Sequence, residues 1–359
     1  MSGDGSVRLL GIAEKSEWLA ALVDFPVKDI VHFPQYASVF EAYGDGRLEC
    51  LLYRDKNGSV LYPYIVRTID SSLQAEAGLS GRTDLITPYG YGGYVHTAPN
   101  VQTRRALLAG FRGAMHERAQ ELGAVSEFIR FHPVLANHEG SELCLDQLVL
   151  SDQNVILDLT LGEEELLGQC RPSFRRSIRK GRRAELTLTL EDNLKAKQEF
   201  TVLYRETMLK HGQTGYLNFR PGFFDLLAER LDRNLLTFSA RSHGQIAASA
   251  LFLSYGSTLD YFLGASQADQ LHLHPNHFLF FEVALWGAQN GFTTLHLGGG
   301  SSSLLFFKTG FSHNRISYFT GRHIHDRPAY DALSRAQWRR LGLEWDPAHP
   351  YHPAYRYGG

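Results

Sequence analysis

One lysine stands in an otherwise apolar stretch, LHLGGGSSSLLFFKTGF, residues 295–311, beside Phe306, Phe307 and Phe311. The whole chain holds only 8 Lys against 28 Arg, which makes a lysine in these surroundings a residue to account for. The stretch reads as a strand, a turn built on Gly298 to Gly300, and a helix capped by the serines. Within that helix Leu304, Phe307, Lys308 and Phe311 fall at i, i+3, i+4 and i+7, so Lys308 belongs to the inward stripe. A buried ammonium is costly unless it meets an anionic or polarised partner, and Lys308 is therefore a candidate for holding negative charge. The competing reading is snorkelling, with the four-carbon stem lying on phenylalanine and the charge in water.

A second candidate is RPSFRRSIRKGRR, residues 171–183, with seven positive charges in thirteen residues. As a helix it puts Phe174 and Ile178 on one face and Arg175, Arg176, Arg179 and Lys180 on others, to meet either solvent or a phosphate backbone. TPYGYGGY, residues 87–94, combines three glycines with Tyr89, Tyr91 and Tyr94. It is either a close backbone approach to a ligand, with tyrosine hydroxyls as donors, or a tight turn at a sheet edge. It is no phosphate loop, since the GxxxxGK[ST] lysine and hydroxyl are missing. His272, His274 and His277 lack the spacing and the nearby carboxylate of a zinc helix, and the pair His323 and His325 alternates along a strand, so no metal is expected. GxSxG is absent, so no serine triad is supported, and no cofactor is expected.

As for the elements that must hold these residues, 359 residues with 43% apolar side chains suffice for two medium domains. The formal charge of −2 gives no general attraction to polyanions, so any such partner must be held by a local patch. Cys50, Cys144 and Cys170 are an odd number without CxxC spacing, against a disulfide framework and in favour of a reducing cytoplasm. No stretch reads as a signal peptide or membrane span, so a protein without stable membrane insertion is expected. LECLLYR and SVLYPYIVR flank Asn57-Gly58 as one hairpin. NLLTFSAR and QIAASALFLSY flank Gly244 as another, with TLDYFLGAS as a third strand. Each hairpin precedes a glycine-capped helix and a strand: RALLAGFRGAMHERAQELG then VSEFIRFHP, and HFLFFEVALWGAQNG then FTTLHLGGG. The shared order predicts two copies of one α/β unit, with a boundary at Ser151-Asp152-Gln153 before the strand NVILDL. Pro221 is expected to open a helix over PGFFDLLAERL, and Pro275 the helix after the histidines.

Taken in order, DLITPYGYGGY, FRRSIRKG, YRETMLKHGQTGYLNF, DYFLGAS, LHLGGG and FFKTGF resemble the FemABX family of aminoacyl-tRNA-dependent transferases, over about residues 30–330. The pairing of LHLGGG with FFKTGF is the most specific part. The resemblance implies an α/β fold of two acetyltransferase (GNAT) domains in tandem, residues 1–152 completed by 322–359, and residues 153–321. No coiled-coil arm is expected, because no heptad run occurs. It further implies an acyltransferase that moves an amino acid from aminoacyl-tRNA to an amine of a small peptide or nucleotide-linked acceptor, a peptidoglycan precursor or a peptide or nucleoside natural product, as a monomer. Phe307 and Lys308 match the catalytic pair, Lys308 stabilising charge on the ester carbonyl and the leaving ribose oxygen. Lys210, Tyr216 and Tyr261, with Tyr89 and Tyr91, are the implied acceptor contacts, and Arg175, Arg176, Arg179 and Lys180 the implied tRNA phosphate contacts. In QYASVFEAYG, Glu41 stands where the family pattern has a basic residue. An acyl-CoA donor is the alternative. GNAT enzymes hold its pyrophosphate with [RQ]-x-x-G-x-[GA] at a helix start, which RSHGQI at Arg241 only approximates.

Overall fold

The computed structural model describes residues 5–191, 194–210, 212, 215–220 and 222–358. It divides into two compact units, one of residues up to Ser151 together with Tyr318 onward, the other Asp152–Ser317.

The first unit begins with β1 (Ser6–Leu10), α1 (Lys15–Leu22) and α2 (Pro34–Tyr43). The hairpin β2 (Arg47–Asp55) and β3 (Gly58–Thr68) turns on Lys56-Asn57, with the Asp55 carboxylate accepting from the Asn57 amide at 2.7 Å. Gly58 thus opens β3 opposite Asp55 and does not form the tip. After α3 (Ser71–Glu76), β4 (Thr83–Ile86) and β5 (Val95–His96) comes the long α4 (Val101–Glu121), which ends at Gly123 with φ of 59° and leads into β6 (Ala124–Arg130). α4 packs Leu107, Leu108, Phe111 and Met115 on Tyr62, Tyr64 and Tyr94 to make this unit's main core. Glu41, on α2, accepts the backbone N–H of Leu48 at 2.8 Å and so serves the start of β2.

β7 (Gln147–Asp158) carries the chain into the second unit. Ser151, Asp152 and Gln153, expected as a break before a strand, are extended residues inside it; their polarity reflects exposure along the strand. There follow α5 (Glu163–Gln169), α6 (Pro172–Arg183), β8 (Thr187–Glu191), α7 (Leu194–Lys210) and α8 (Phe223–Leu231). Pro221, the expected start of α8, lies outside the described residues. The hairpin β9 (Leu235–Ser242) and β10 (Gln245–Tyr255) turns on His243-Gly244, both at positive φ as a tight two-residue turn requires. β11 (Thr258–Ser266), α9 (Pro275–Gln289) and β12 (Thr294–Gly298) repeat the third strand, helix and strand of the first unit, and α9 ends at Gly291 with φ of 84°. The strand order here is β7-β12-β11-β10-β9-β8. α9 is apolar nearly all round because it is buried nearly all round, with Phe278, Leu279, Phe280, Phe281, Val283 and Ala284 all in the core. α10 (Ser302–Lys308) precedes β13 (Arg315–Ile324), within which the chain returns to the first unit, where α11 (Arg327–Arg340) packs Tyr330 and Leu333 against Ile69, Leu73 and Tyr355.

The three cysteines are free, with Cys50 and Cys170 buried among apolar neighbours and their thiols pushed up by that burial. No helix among the described residues is long and apolar enough to cross a membrane.

Candidate active site

The second unit has an opening in its sheet. β11 and β12 run parallel and pair only at Thr258–Thr294, Leu259–Leu295 and Asp260–His296. There the ladder stops, although β11 continues to Ser266 and β12 shifts register against β7 between His296 and Gly298. Ligands in open α/β sheets bind outside the carboxyl ends of such strands.

Lys308 sits at this opening. α10 is only two turns long, and Lys308 is its last residue, 4% exposed. Its Nζ donates to the carbonyl oxygen of Gly299 at 2.5 Å and lies 5.0 Å from the centre of the Tyr261 ring, a cation–π distance. Burial lowers its amine to about 7, with the nearby Asp152 carboxylate acting in the opposite direction. The charge is therefore inward, and snorkelling is not what the side chain does. Gly299 makes this geometry possible: a Cβ there would lie 2.6 Å from Oδ1 of Asn154 and 3.3 Å from Oδ2 of Asp152. Its neighbours Gly298 and Gly300 take φ of 72° and 138°, so the turn needs glycine on conformational grounds as well.

Beside Gly299 runs a buried polar row that sequence reasoning missed. His296 donates from Nδ1 to Oδ1 of Asp260 at 2.5 Å and accepts at Nε2 from the Asn154 amide at 3.0 Å. The register that pairs Asp260 with His296 across β11 and β12 brings them together. Asn154 Oδ1, buried, has no hydrogen-bond partner among the described residues. The available signal was a polar residue inside each of two apolar strands, at positions already contained in DYFLGAS and LHLGGG.

Phe307 has a different environment from its neighbour. Its ring packs at 5.5 Å from Phe174, 5.1 Å from His277, 5.9 Å from Phe280 and 5.4 Å from Phe311. It anchors α10 to α6 and α9, so it positions Lys308 through packing. Leu304, expected on the inward stripe, is exposed, and Phe311 lies beyond the helix end, because a helix this short presents a single inward turn. Ser301 is the N-cap but makes no side-chain capping bond; its hydroxyl meets that of Ser303 at 3.2 Å. Arg171 closes the other end of α10, donating to the Phe306 carbonyl at 3.1 Å and to the Thr309 hydroxyl while lying 4.2 Å over the Phe306 ring.

α6 buries Phe174, Ile178 and Gly181 and turns its charges outward. Arg175 is an exception to the expected phosphate set: it donates to the carbonyls of Gly168 and Cys170 at the end of α5, at 3.0 and 3.1 Å. Arg182 pairs with Glu163 and Glu282. Arg176, Arg179, Lys180 and also Arg183, which the expected set omitted, form an exposed stripe without an ion pair among the described residues. Lys210 is exposed at the C-terminal end of α7, and Tyr216 is exposed with its ring 5.5 Å from that of Phe219; the intervening His211, Gln213 and Thr214 lie outside the described residues. Of the expected acceptor contacts, Tyr261 meets Lys308, whose Nζ lies over its ring.

Tyr89 and Tyr91 belong to the first unit. There β4 and β6 pair in parallel, and the ladder does not stop: Thr87 N–H bonds the Phe128 carbonyl at 3.2 Å, Gly92 N–H bonds the Arg130 carbonyl at 2.9 Å, and Asn137 donates to the Gly92 carbonyl at 2.8 Å. TPYGYGGY is thus a strap along the sheet, with Tyr36 donating to the Tyr89 carbonyl at 2.6 Å and Tyr91 edge-on to Tyr318 at 5.0 Å. His272, His274 and His277 do not converge: His272 faces the Asp269 carbonyl at 2.8 Å, His274 caps α9, and His277 joins the Phe307 cluster.

The sequence profile of a family described as acetyltransferase (GNAT) domain matches residues 168–308, which contain β11, β12, α10 and Lys308. The crystal structure of FemX has a similar fold, with a TM-score of 0.69 at 14% identity, covering 90% of this chain and 99% of that one. The chain has a FemX-like tandem GNAT fold. A conserved protein of unknown function from Bacteroides thetaiotaomicron superposes with a TM-score of 0.55 at 12% identity, covering 89% of this chain and all of that one. The C-terminal domain of a protein described as a lysylphosphatidylglycerol synthetase from Agrobacterium fabrum gives 0.54 at 16% identity, covering 89% of this chain and 96% of that one. No curated protein matches the chain in sequence.

Proposed function

We propose that this protein is an acyltransferase that moves an amino acid from aminoacyl-tRNA to the amine of a small acceptor, forming an amide bond. The acceptor class is a peptidoglycan precursor or a peptide or nucleoside natural product. The observation that carries the reading is the buried Lys308 ammonium at the opening between β11 and β12, donating toward Gly299. When an amine attacks an aminoacyl ester, charge grows on the carbonyl oxygen and then on the departing ribose oxygen. A fixed cation in a water-poor site stabilises both. In the uncharged state the same amine can take the proton that the attacking nitrogen must lose.

Two features support RNA over coenzyme A as the donor. The stripe Arg176, Arg179, Lys180 and Arg183 offers exposed cations, without an ion pair among the described residues, on the helix that Arg171 and Phe174 tie to α10. By contrast, Arg241 of RSHGQI lies in the β9–β10 hairpin, with its guanidinium on Glu191, Glu199 and the Gly244 carbonyl. The segment leading from β11 into α9, residues 267–275, has no glycine with which to wrap a pyrophosphate.

The deciding assay supplies the protein with a pool of charged tRNAs or with acetyl-CoA and follows which donor loses its acyl group when candidate amines are present. Transfer from tRNA that ribonuclease abolishes is the expected result; transfer from acetyl-CoA alone would overturn it. For the stripe, the combined Arg176→Ala, Arg179→Ala and Arg183→Ala variant is expected to weaken tRNA binding at least tenfold at low salt. It should also flatten the slope of log K against log[salt] by about 2–3, one phosphate contact per arginine. Fluorescence anisotropy with labelled tRNA over a salt series measures both.

A further inference from the structure

The first unit contains three histidines that come together from distant parts of the chain. His116 lies on α4, His323 on β13, and His325 just past the end of β13. One ring nitrogen or equivalent donor atom from each lies within 4.8 Å of the other two. The His323 and His325 rings are 4.7 Å apart, and those of His116 and His325 5.9 Å. The His325 side chain is 1% exposed, and neither of its ring nitrogens has a hydrogen-bond partner among the described residues. An imidazole with a lone pair left unused in a buried site calls for an explanation.

The surroundings of the rings supply one. Oε2 of Glu127 lies 3.4 Å from Nε2 of His325, and Oδ1 of Asp146 lies 3.4 Å from Nδ1 of His323. A carboxylate beside two of the three rings is the kind of arrangement that orients metal-ligating histidines and makes them better donors. Both carboxylates are themselves fixed, Glu127 by the Arg112 guanidinium at 2.7 Å and Asp146 by the Ile324 N–H at 2.7 Å. Both lie at ion-pair distance without forming a hydrogen bond: Nδ1 of His323 and both ring nitrogens of His325 are buried without a hydrogen-bond partner among the described residues. His116 forms the exposed edge, its Nε2 accepting from the Gln120 amide at 3.0 Å. It can exchange that bond for another by a turn of an unburied side chain. Two carboxylates against one guanidinium leave an excess negative charge to receive a cation.

We infer that His116, His323 and His325 form a binding site for a divalent transition ion of the zinc class. Three imidazoles select such an ion over calcium or magnesium, which take oxygen ligands. Zinc–nitrogen bonds of about 2.0–2.1 Å hold three such donors roughly 3.3 Å apart, so the histidines close inward by about an ångström and a half at most. The fourth position, on the His116 side, is open to water. The ion ties α4 to the segment that returns from β13.

The test uses the full chain, stripped with a chelator and then titrated with Zn²⁺ against a chromophoric chelator, and separately with Co²⁺ under visible absorption. One ion per chain and the intense d–d bands of tetrahedral Co²⁺ are expected. Because 16 histidines compete for metal, the variants assign the site. His116→Ala, an exposed change that leaves the chelator-treated melting temperature unaltered, should weaken zinc at least tenfold and abolish the cobalt bands. Asp146→Asn should weaken zinc by about 10–100-fold with the three ligands intact. His274→Ala should change nothing. Zinc binding that survives His116→Ala unaltered, that disappears in His274→Ala, or that is absent from the wild-type chain overturns the assignment.

Discussion

Replacing Lys308 with Met is expected to lower kcat/KM for acyl transfer by about 10²–10³, the cost of removing one preorganised donor from a developing oxyanion. Methionine keeps the length and apolar stem, so α10 and its aromatic anchor at Phe307 should remain in place. The pH profile then separates two ways in which the amine can act. Burial brings the Lys308 amine down to about 7, so its two states are balanced near neutrality. If the cation stabilises charge, kcat/KM falls as pH rises through that value; if the neutral amine accepts a proton, it rises. In Lys308→Met that limb should vanish, and retention of full activity with an unchanged profile would remove Lys308 from the reaction. Stability should move the other way. A lysine whose amine is depressed in the folded chain resists folding once pH falls below its unfolded value of 10.5, and the cost is complete below about 7. Lys308→Met should therefore be more stable than wild type at pH 6, by on the order of a few kcal/mol, and the gain should fade toward pH 10. A site residue whose removal stabilises the fold while slowing the reaction by orders of magnitude is held there for function.

The second large effect is structural. Arg112→Leu is expected to destabilise the protein by about 3–5 kcal/mol at pH 7, because it leaves the Glu127 carboxylate buried without its guanidinium. Both side chains are buried, and their contact is 2.7 Å. Burial alone would push the Glu127 carboxyl up, but Arg112 and His325 outweigh it and hold the group well below the usual carboxylate range. In wild type, a depressed carboxyl adds stability above the unfolded value near 4.5 that is lost as pH falls. In Arg112→Leu burial acts unopposed by Arg112, the carboxyl moves upward, and folding at neutral pH requires uptake of a proton. The stability difference between the two proteins should thus narrow as pH is lowered from 7 toward 4. Urea denaturation across that range measures it, and a gap that is constant with pH would show that Glu127 does not carry the effect.

Much of this was legible in the chain itself. Period-two runs and turn residues gave β9, β10 and β11 nearly to the residue, since hairpin chemistry is local. Glycines after α4 and α9 marked both helix ends for the same reason. The inward placement of Lys308 followed from spacing, whereas the outward placement of Leu304 did not, because helix length is set by the packing of Phe307 and Phe311. Nor could sequence show that Arg175 would bond carbonyls of α5 while Arg176 and Arg179 stayed exposed, as helical spacing gives a face but no neighbour. The row of Asn154, Asp260 and His296 was hidden because its contacts span 142 and 36 residues of chain and are set by strand register, a property of the whole sheet. His116 was invisible as a partner of His323 and His325 for the same reason of distance along the chain.

The two units treat their parallel strand pair in opposite ways. In one, Thr87 and Gly92 continue the ladder to its end; in the other, the ladder stops at Asp260 and His296. If the open ladder is the working mouth, the closed one answers to rigidity alone. Substitutions at the strap should then be scored by melting temperature and those at the Gly298–Gly300 turn by turnover. A mutational scan reporting both quantities would separate the closed ladder of one unit from the open ladder of the other.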